Sequence, residues 1–431
     1  MNIDGTVVIV GGGPVGLTLS LVLARYGVPT LVLEARRTPT PRDESRAIAW
    51  MPKGLELLDW LELGESFDGP GVRRVAHEFW ADERRLLRMP FDEVRSTHRY
   101  TLQLPQHDSE VLLEGAALRT GMVEVRRGHR VVGLSQNEHE ASVDVEGPDG
   151  AYDRAAPYAV GCDGARSNVR HALGIETRWR DYGTHSAVAD LEMKSGLPKE
   201  VSRIVLDPRR PYGFFYFAPG RWRFIYRING GEDRLAMTTE DAATDLLKSK
   251  LPGVQVHQFL WASAFRLGQG QGQAYRKGRW LLAGDAAHAM GPSAGAGMMV
   301  GVLGAWRLGW RLALSVKGDA RADELLVGYE REQRAASEEV QNANARIFRQ
   351  MALSKPAVAA VRSVALRGLS RFKPVVRRMT EKEALVTQRL SIPDGEVLLD
   401  ESSFASSNGL RKSITSGRGA SRGQDSSKDA L

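Results

Sequence analysis

The start of the chain alternates between apolar runs and a helical repeat. Val7 to Val10 is a short β-branched run, which is typical of a buried parallel strand. From Pro14 to Tyr26 the apolar residues recur at helical spacing, and Gly27 ends this helix. Val28 to Leu33 forms the next apolar run. The pattern therefore predicts a β-α-β unit with two parallel strands.

The rest of the chain separates into helical and strand-rich segments. Helical spacing predicts helices from about Pro52 to Leu63, from about Asp108 to Arg119 and over most of residues 293–350. Short apolar runs predict strands within residues 72–102 and 178–270, where Pro219-Gly220 marks the turn of a hairpin. A mixture of parallel β-α-β units and separate strand-rich segments is typical of an α/β protein with an inserted sheet.

Three glycines follow the first strand at the spacing G-x-G-x-x-G, namely Gly11, Gly13 and Gly16. The first permits the tight turn, the second lets the backbone approach a pyrophosphate, and the third lets the helix pack close to the strand. A diphosphate would then lie at the positive N-terminus of the helix. Glu34 follows Gly16 at about the usual interval of 20 residues for an acid that binds a ribose. Because strand, helix, second strand and acid are all in place, we predict a dinucleotide site.

Two later strand ends carry an aspartate in a similar setting. Val160 to Ser167 ends a strand in Asp163-Gly164 and then starts a helix. Trp280 to His288 places Gly284-Asp285 after another apolar run. The second of these motifs offers a carboxylate to a further polyol chain, which favours FAD over NAD alone as the bound dinucleotide. Either aspartate could instead only cap the helix that follows it.

In this order the three motifs, with Arg46 after the Glu34 strand, resemble those of class A flavoprotein monooxygenases, the para-hydroxybenzoate hydroxylase superfamily. The similarity is greatest to 3-(3-hydroxyphenyl)propionate and polyketide aromatic hydroxylases, and it runs from about residue 4 to residue 315. It implies FAD as cofactor, NADPH or NADH as co-substrate, and dioxygen. It also implies hydroxylation of a phenolic or polycyclic aromatic substrate through a flavin C4a-hydroperoxide.

The resemblance further implies a domain organisation. We expect a Rossmann-like FAD-binding domain of the GR2 type, an inserted mixed or antiparallel β-sheet domain for the substrate, and C-terminal helices. The expected bounds are residues 1–71, 103–177 and 271–320 for the FAD-binding domain, 72–102 and 178–270 for the β-rich domain, and 321–395 for the helical segment. Residues 400–431 are predicted to be a disordered tail, because serine, glycine and charged residues dominate them.

Individual roles follow from the same resemblance. Glu34 is expected to bind the adenosine ribose, Asp285 the ribityl chain, and Asp163 belongs to a motif tied to both FAD and NAD(P)H. Backbone amides of a helix that begins near Met298 are expected to face the flavin edge that becomes negative on reduction. Arg46 is expected at the FAD phosphates or the nicotinamide donor, although a surface role is the alternative. The full set expected to contact cofactor is Gly11, Gly13, Pro14, Val15, Gly16, Glu34, Ala35, Arg36, Arg46, Gln106, Val131, Asp163, Gly164, Asp285, Pro292, Gly295, Gly297 and Met298.

The chain departs from the family pattern in the helix that begins near Met298. The family usually has Asn where this chain has Met299, and Asp then Asn where it has Gly304 and Arg307. Backbone contacts to the flavin do not depend on these side chains, whereas side-chain contacts around the helix do. The alternatives that stay open are an epoxidase, a halogenase or a reductase on the same fold, or a flavin-binding protein without catalysis.

Aromatic residues on the predicted hairpin are candidate substrate contacts, namely Tyr212, Phe214, Tyr216 and Tyr226. The same alternation on a sheet is also typical of a core. No catalytic base can be assigned, no metal is expected, and His288 is expected to pack or hydrogen-bond beneath the flavin loop. Gly268 to Gly272 lacks a following helix, so we expect a flexible loop there rather than a second nucleotide site.

Charge, cysteine content and the start of the chain bear on the cellular compartment and the partners of the protein. It has 431 residues and a formal net charge of +7, and Cys162 is its one cysteine, so no intramolecular disulfide forms. The first strand starts close to the N-terminus without a signal peptide, so we expect a cytoplasmic protein without a transmembrane segment. We also expect a monomer or homodimer that binds a small aromatic molecule and no nucleic acid.

Most of the excess positive charge is local. Residues 346–378 contain nine arginines and lysines and no acidic residue, with apolar residues between them. The pattern predicts a basic amphipathic helix that is interrupted at Pro356 and Pro374. Its basic face could be simply solvated, could contact an anionic membrane surface or an acidic partner, or could line the access route of the substrate.

Overall fold

The computed structural model describes residues 5–44, 47–291, 295–351, 355–388, 390–391 and 397–398. By internal contacts the chain divides into a large unit, residues 1–388, and a small unit, residues 389–431. The described residues of the small unit are two short strands, Leu390–Ser391 and Val397–Leu398, which pair antiparallel. No helix among the described residues is both long and apolar enough to cross a membrane.

The large unit alternates strands and helices in its first part and ends in helices. Its strands are β1 (Val7–Val10), β2 (Thr30–Glu34), β3 (Ala49–Trp50), β4 (Val72–Arg74), β5 (Ala76–Ala81), β6 (Arg84–Pro90), β7 (Thr101–Gln103), β8 (Val123–Arg127), β9 (Arg130–Gln136), β10 (Ala141–Gly147), β11 (Gly150–Ala156), β12 (Ala159–Gly161), β13 (Thr177–Lys194), β14 (Val201–Val205), β15 (Tyr212–Ala218), β16 (Arg221–Ile228), β17 (Gln255–Gly272), β18 (Arg276–Lys277) and β19 (Trp280–Leu282). Its α-helices are α1 (Pro14–Arg25), α2 (Pro52–Trp60), α3 (Gly64–Asp68), α4 (Gln106–Arg119), α5 (Asn168–Ala172), α6 (Glu240–Lys250), α7 (Gly297–Val316), α8 (Ala322–Met351), α9 (Pro356–Leu369) and α10 (Lys373–Glu383).

Six strands form a sheet in the order β18-β19-β12-β1-β2-β8. All neighbouring pairs are parallel except the edge pair β18 and β19. Val7, Val8 and Ile9 are fully buried, as expected for an inner strand of a parallel sheet. Because the parallel strands share one direction, the carboxyl ends of β1, β2, β12 and β19 lie at the same edge, which is where such sheets bind ligands.

Seven other strands form a mixed sheet in the order β17-β13-β16-β15-β14-β5-β6. Helix α6 packs on one face, where its Ala243 and Leu247 join buried side chains of β13, β15 and β16. Helices α9 and α10 pack against β6, and Val376 contacts Leu87 and Met89 there. As the sequence predicts, the helices interrupted by proline begin at or beside Pro356 and Pro374.

Two local features differ from the sequence-based expectation. The pattern does not predict β11, which pairs with β10 through a tight turn. Gly268 to Gly272 is expected to be a flexible loop, but these residues are the last part of strand β17. A Cβ atom at Gly268 or Gly270 would lie 2.7 Å or 2.8 Å from the Trp179 ring. The glycines are therefore explained by close packing of an aromatic ring on the strand rather than by mobility.

Candidate cofactor site

A cleft of about 370 Å³ opens at the carboxyl edge of the six-stranded sheet. Its walls come from the ends of β1 and β2, the start of α4, strand β9 and the segment after β12. The sheet topology thus brings together segments that are far apart in sequence. The predicted cofactor residues that line it are Gly11, Gly13, Glu34, Ala35, Arg36, Gln106, Val131, Asp163 and Gly164.

The turn between β1 and α1 has no room for a side chain at its first and last glycine. Gly11 has a φ of +112°, and a Cβ there would lie 2.5 Å from the Cys162 carbonyl oxygen. At Gly16 a Cβ would lie 2.0 Å from the Gly11 carbonyl oxygen, whereas around Gly13 there is open space. Helix α1 begins at Pro14, and no side chain in the described part of the chain caps its N-terminus. A pyrophosphate therefore fits the turn, because the uncapped amides of the helix face the space that the glycines leave.

Glu34 lies at the end of β2 beside this turn. Its carboxylate accepts hydrogen bonds from the backbone amides of Gly12, at 2.7 Å, and Arg36, at 2.8 Å. These two bonds fix the carboxylate against the glycine-rich turn, and Glu34 also lines the cleft. This position suits an acid that binds a ribose hydroxyl.

Gln106 contributes to the opposite wall through a polar cluster. Its Nε2 donates to Glu110 Oε1 at 2.8 Å, and its Oε1 accepts from the Ala47 amide at 3.3 Å. The Glu110 carboxylate also accepts from the amide and hydroxyl of Thr40, at 2.7 Å and 2.9 Å. The side chain of Gln106 thus has a fixed orientation at the rim of the cleft.

Asp163 makes the capping contacts that the sequence left open as an alternative. One carboxylate oxygen accepts from the Ser167 hydroxyl at 2.5 Å, and the other accepts from the Val169 amide at 3.0 Å. Ser167 is the N-cap of α5 and accepts from the Arg170 amide. Asp163 still lines the cleft, so its structural and cofactor roles are compatible. Burial raises the pKa of the neighbouring Cys162 thiol, which keeps it neutral.

The Gly284-Asp285 motif lies against the start of α1. Gly284 has a φ of +60°, and a Cβ there would lie 3.0 Å from Val15 Cγ2. A Cβ at Gly301, in α7, would lie 2.7 Å from the same Val15 atom. Val15 therefore joins the glycine-rich turn to both segments expected to hold the ribityl chain and flavin. Asp285 is half-buried in a short 3-10 helix, Gly284–Ala286.

Helix α7 begins at Gly297, and none of the described side chains caps its N-terminus. Met298 is half-buried, and Gly295 has a φ of +66°. The side chain of Met299 points into the core, since a Cβ at Gly54 of α2 would lie 2.4 Å from its sulfur. The departure from the family pattern at Met299 is therefore a packing contact. Two predicted cofactor residues, Arg46 and Pro292, lie outside the described residues.

A buried polar network behind α7 is the feature that sequence reasoning missed. Gln333 of α8 donates from Nε2 to the Val300 carbonyl oxygen at 2.9 Å and to His288 Nε2 at 2.8 Å. Its Oε1 accepts from Arg307 Nη1 at 2.7 Å, and Arg307 Nη2 donates to Gln388 Oε1 at 3.2 Å. Gln333 thus connects the segment after Asp285 to the first turn of α7.

The other two departures from the family pattern belong to this network. A Cβ at Gly304 would lie 2.7 Å from the Cδ of Gln333, so Gly304 provides the space for this side chain. Burial lowers the pKa of Arg307 to about 10, which leaves the guanidinium charged at neutral pH. Burial also lowers the pKa of His288 to about 4, so the imidazole is neutral and accepts from Gln333. His288 hydrogen-bonds and packs, as the sequence predicts.

The four aromatic candidates on the hairpin lie on the face covered by α6. Phe214, Tyr216 and Tyr226 are buried, and Tyr212 packs against the same core cluster. This placement favours the core alternative. The register of β15 then puts Phe215 on the opposite face, where its ring lies 2.9 Å from the position of a Cβ on Gly213. Sequence alternation separates the two faces but does not say which one a helix covers.

The face that carries Phe215 also carries buried charges. Arg223, opposite Phe215 on β16, donates from Nε and Nη2 to the two carboxylate oxygens of Asp190, both at 2.7 Å. The Arg74 guanidinium lies 5.2 Å from the centre of the Phe215 ring. Arg74 ends β4, which is joined through β7 to β3, and Ala49 of β3 lies 3.9 Å from the Cβ position of Gly295. A continuous set of contacts thus links this face to the start of α7.

Fold and cleft together define a dinucleotide-binding protein with a Rossmann-like sheet. The sequence matches the family described as FAD binding domain over residues 4–344, which is most of the chain. The chain therefore belongs to the FAD-binding-domain family, and FAD is its cofactor.

Similar proteins are aromatic monooxygenases. A 12-dehydrotetracycline 5-monooxygenase/anhydrotetracycline 6-monooxygenase of Streptomyces rimosus subsp. rimosus is 36% identical over 344 residues, 76% of this chain and 66% of that protein. A 3-(3-hydroxy-phenyl)propionate/3-hydroxycinnamic acid hydroxylase of Mycolicibacterium smegmatis is 33% identical over 395 residues, 88% of this chain and 69% of that protein. The resemblance to this group, inferred from the motifs, is confirmed.

A solved structure shows the same fold. The p-nitrophenol 4-monooxygenase of Pseudomonas putida superposes with a TM-score of 0.80 at 25% identity, covering 88% of this chain and 98% of the other. The expected fold class is thereby confirmed. The chain spans about two thirds of the length of the first curated relatives, 66% in the tetracycline case.

Proposed function

We propose that this protein is an FAD-dependent monooxygenase that consumes NAD(P)H and hydroxylates a phenolic or polycyclic aromatic substrate. The observation that carries the proposal is the convergence of two glycine motifs on Val15, where Gly284 and Gly301 approach the side chain that follows the glycine-rich turn. This convergence brings the segments expected to hold the ribityl chain and the flavin next to the residue that follows the glycine-rich turn. The names of the similar proteins supply the reaction class.

The chain's own residues would hold the two halves of FAD separately. Glu34 would bind the adenosine ribose, and the turn from Gly11 to Gly16 would hold the pyrophosphate. Asp285 would accept hydrogen bonds from the ribityl hydroxyls, and the uncapped amides of α7 would face the flavin edge. Bound FAD supplies the electron transfer and oxygen activation, so the protein needs no nucleophilic side chain for the reaction.

The substrate would lie over the sheet face that carries Phe215. Phe215 is half-buried, and on the same face the guanidinium of Arg223 is neutralised by Asp190. A half-buried aromatic ring beside a neutralised ion pair favours a largely hydrophobic aromatic compound. The face also connects through Ala49 to Gly295, beside the start of α7. Sheet and flavin edge would therefore enclose the substrate between them.

The two sheets would divide the work of FAD binding and substrate binding between two domains. The six-stranded sheet takes its strands from residues 1–71, 103–177 and 271–320, which we assign to FAD binding, and the seven-stranded sheet would bind the substrate. We place the enzyme in the cytoplasm, because its single cysteine is compatible with a reducing compartment. It would act as a monomer or homodimer.

The test is a screen of phenolic and polycyclic aromatic compounds with the FAD-loaded full chain. We expect at least one compound to accelerate NADPH or NADH oxidation and to gain one oxygen atom from labelled dioxygen. A screen in which labelled oxygen appears only in hydrogen peroxide or water would contradict a monooxygenase. Such a result would support an oxidase or reductase on the same fold.

A matched pair of variants tests the substrate face. Phe215→Leu is expected to raise the KM of the active compound, since Phe215 would contact it. Tyr212→Leu changes a half-buried aromatic on the same strand but on the α6 face, so its KM should stay close to wild type. A larger rise in KM for Tyr212→Leu than for Phe215→Leu would contradict the assignment of the substrate to the face that carries Phe215.

A further inference from the structure

The outer side of α9 and α10 exposes a row of large apolar residues. We call Val358, Val361, Val364, Phe372 and Val375 the outer stripe. Val361, Val364 and Phe372 are 69%, 70% and 62% exposed, which is unusual for neighbouring large apolar side chains. Most members follow one another at intervals of three residues, so those within each helix share one side of it.

The inner side already fixes these helices to the protein. Ala359 is buried, and Arg362 Nη2 donates to the Leu206 carbonyl oxygen at 2.6 Å. Val376 packs with Leu87 and Met89 of β6. These inner contacts account for how α9 and α10 are held in place, and the apolar character of the outer stripe needs another explanation.

Cations surround the outer stripe. Arg367, Arg371, Lys373, Arg377 and Arg378 are exposed on the same two helices or their connection. No acidic residue occurs between residues 346 and 378, and the nearest acidic contact is Glu381, 3.9 Å from Arg377. Among the described residues Arg377 is the one of these five cations with an ion pair. An apolar strip flanked by such cations combines the two attractions that hold interfacial helices on anionic membranes.

We propose that the outer face of α9 and α10 docks on the surface of an anionic lipid bilayer. The stripe would enter the region between headgroups and acyl chains, and the flanking arginines and lysines would contact lipid phosphates. Charge argues against a second copy of this chain as the occupant, because a symmetric contact would bring the cation-rich face with Arg367, Arg371 and Lys373 against an identical cation-rich face. The proposal is independent of the oxygenase reaction.

The experiment measures co-sedimentation of the FAD-loaded full chain with vesicles. One set contains phosphatidylglycerol and phosphatidylcholine, and the other contains phosphatidylcholine alone. We expect binding at least about tenfold tighter to the anionic vesicles, with part of the binding surviving high salt because of the apolar stripe. Equal or absent binding to both sets would overturn the proposal.

Two triple variants separate the contributions of charge and apolar contact. R367E/R371E/K373E should lower the affinity for anionic vesicles by at least about 100-fold, since loss of each cation removes about a fivefold factor near such a surface and the new carboxylates add repulsion. V361S/V364S/F372S should remove the salt-resistant part. Both change exposed positions away from the cleft, so the FAD content should be unchanged.

The controls are single changes at exposed positions elsewhere. Leu235→Ser replaces an apolar residue that is 81% exposed, and Lys248→Glu reverses an exposed cation on α6. Neither should change vesicle binding. If they weaken it as much as the triple variants do, the attraction is non-specific and the docking face is wrong. A concentration-dependent dimer that V361S/V364S/F372S abolishes would assign the face to a second copy instead.

Discussion

Gln333 offers the sharpest test of how the two flavin-binding segments are held together. Its side chain makes hydrogen bonds of 2.9 Å to the Val300 carbonyl, 2.8 Å to His288 and 2.7 Å to Arg307. Gln333→Leu keeps a similar volume and removes all three. Arg307 is 2% exposed, so its cation cannot regain the lost acceptor from bulk water.

The expected loss follows from these contacts. Each of the two neutral bonds contributes about 1 kcal/mol, and the bond to the charged Arg307 contributes roughly 1.5–3 kcal/mol. Arg307 keeps its bond to Gln388, which limits the penalty. We therefore expect Gln333→Leu to lower the free energy of unfolding by about 4 kcal/mol, a large fraction of the roughly 5–15 kcal/mol typical of a domain.

The assay is urea unfolding followed by circular dichroism, together with FAD titration. Asn342→Leu, a change to an exposed amide on the same helix, serves as the control and should cost little. Gln333→Glu keeps an acceptor for Arg307 and loses the two donated bonds, so its free energy of unfolding should lie between those of the wild type and Gln333→Leu. A loss below about 1 kcal/mol in Gln333→Leu would show that the network does not support α7.

Three further changes probe the cleft and its surroundings. Gly16→Ala should abolish FAD binding or folding, because the new Cβ would lie 2.0 Å from the Gly11 carbonyl oxygen; normal FAD content would refute the tight turn. Glu34→Gln should weaken FAD and ADP alike, since the carboxylate holds two amides beside the ribose position; an effect on FAD alone would contradict this role. Burial lowers the pKa of His288 from 6.5 to about 4. Between these two pH values the unfolded chain binds a proton at His288 and the folded chain does not, so the free energy of unfolding should fall as the pH drops from about 6.5 to 4. The free energy of unfolding should be lower by about 3 kcal/mol at pH 4. His288→Gln should show a weaker pH dependence of this free energy, as measured by urea unfolding across the same range.

Sequence alone predicts the parts of the structure that depend on local patterns. The glycine spacing and strand ends place Gly11, Glu34 and Asp163 at one edge, because parallel strands share a direction. The covered face of the hairpin depends on where α6 packs, and this is not encoded in the alternation of Phe214 and Phe215.

The network around Gln333 was beyond local patterns for a different reason. Gln333 lies 45 positions from His288 and 26 from Arg307, and no local spacing connects the three residues. The sequence shows only that Gly304 and Arg307 depart from the family. The structure explains both departures, since Gly304 leaves the space that Gln333 fills and Arg307 binds its oxygen.

The central claim is that one FAD binds with its adenosine half at Glu34 and its flavin half at Asp285. It can be tested by titrating FAD and ADP into the flavin-free protein and into its Asp285→Ala variant. We expect one FAD per wild-type chain. Loss of a charge-assisted hydrogen bond is worth roughly 1.5–3 kcal/mol, so the variant should bind FAD at least about tenfold more weakly. Its affinity for ADP, which lacks the ribityl chain, should stay at the wild-type value. Equal FAD affinity in both proteins would contradict the assignment of the flavin half to Asp285.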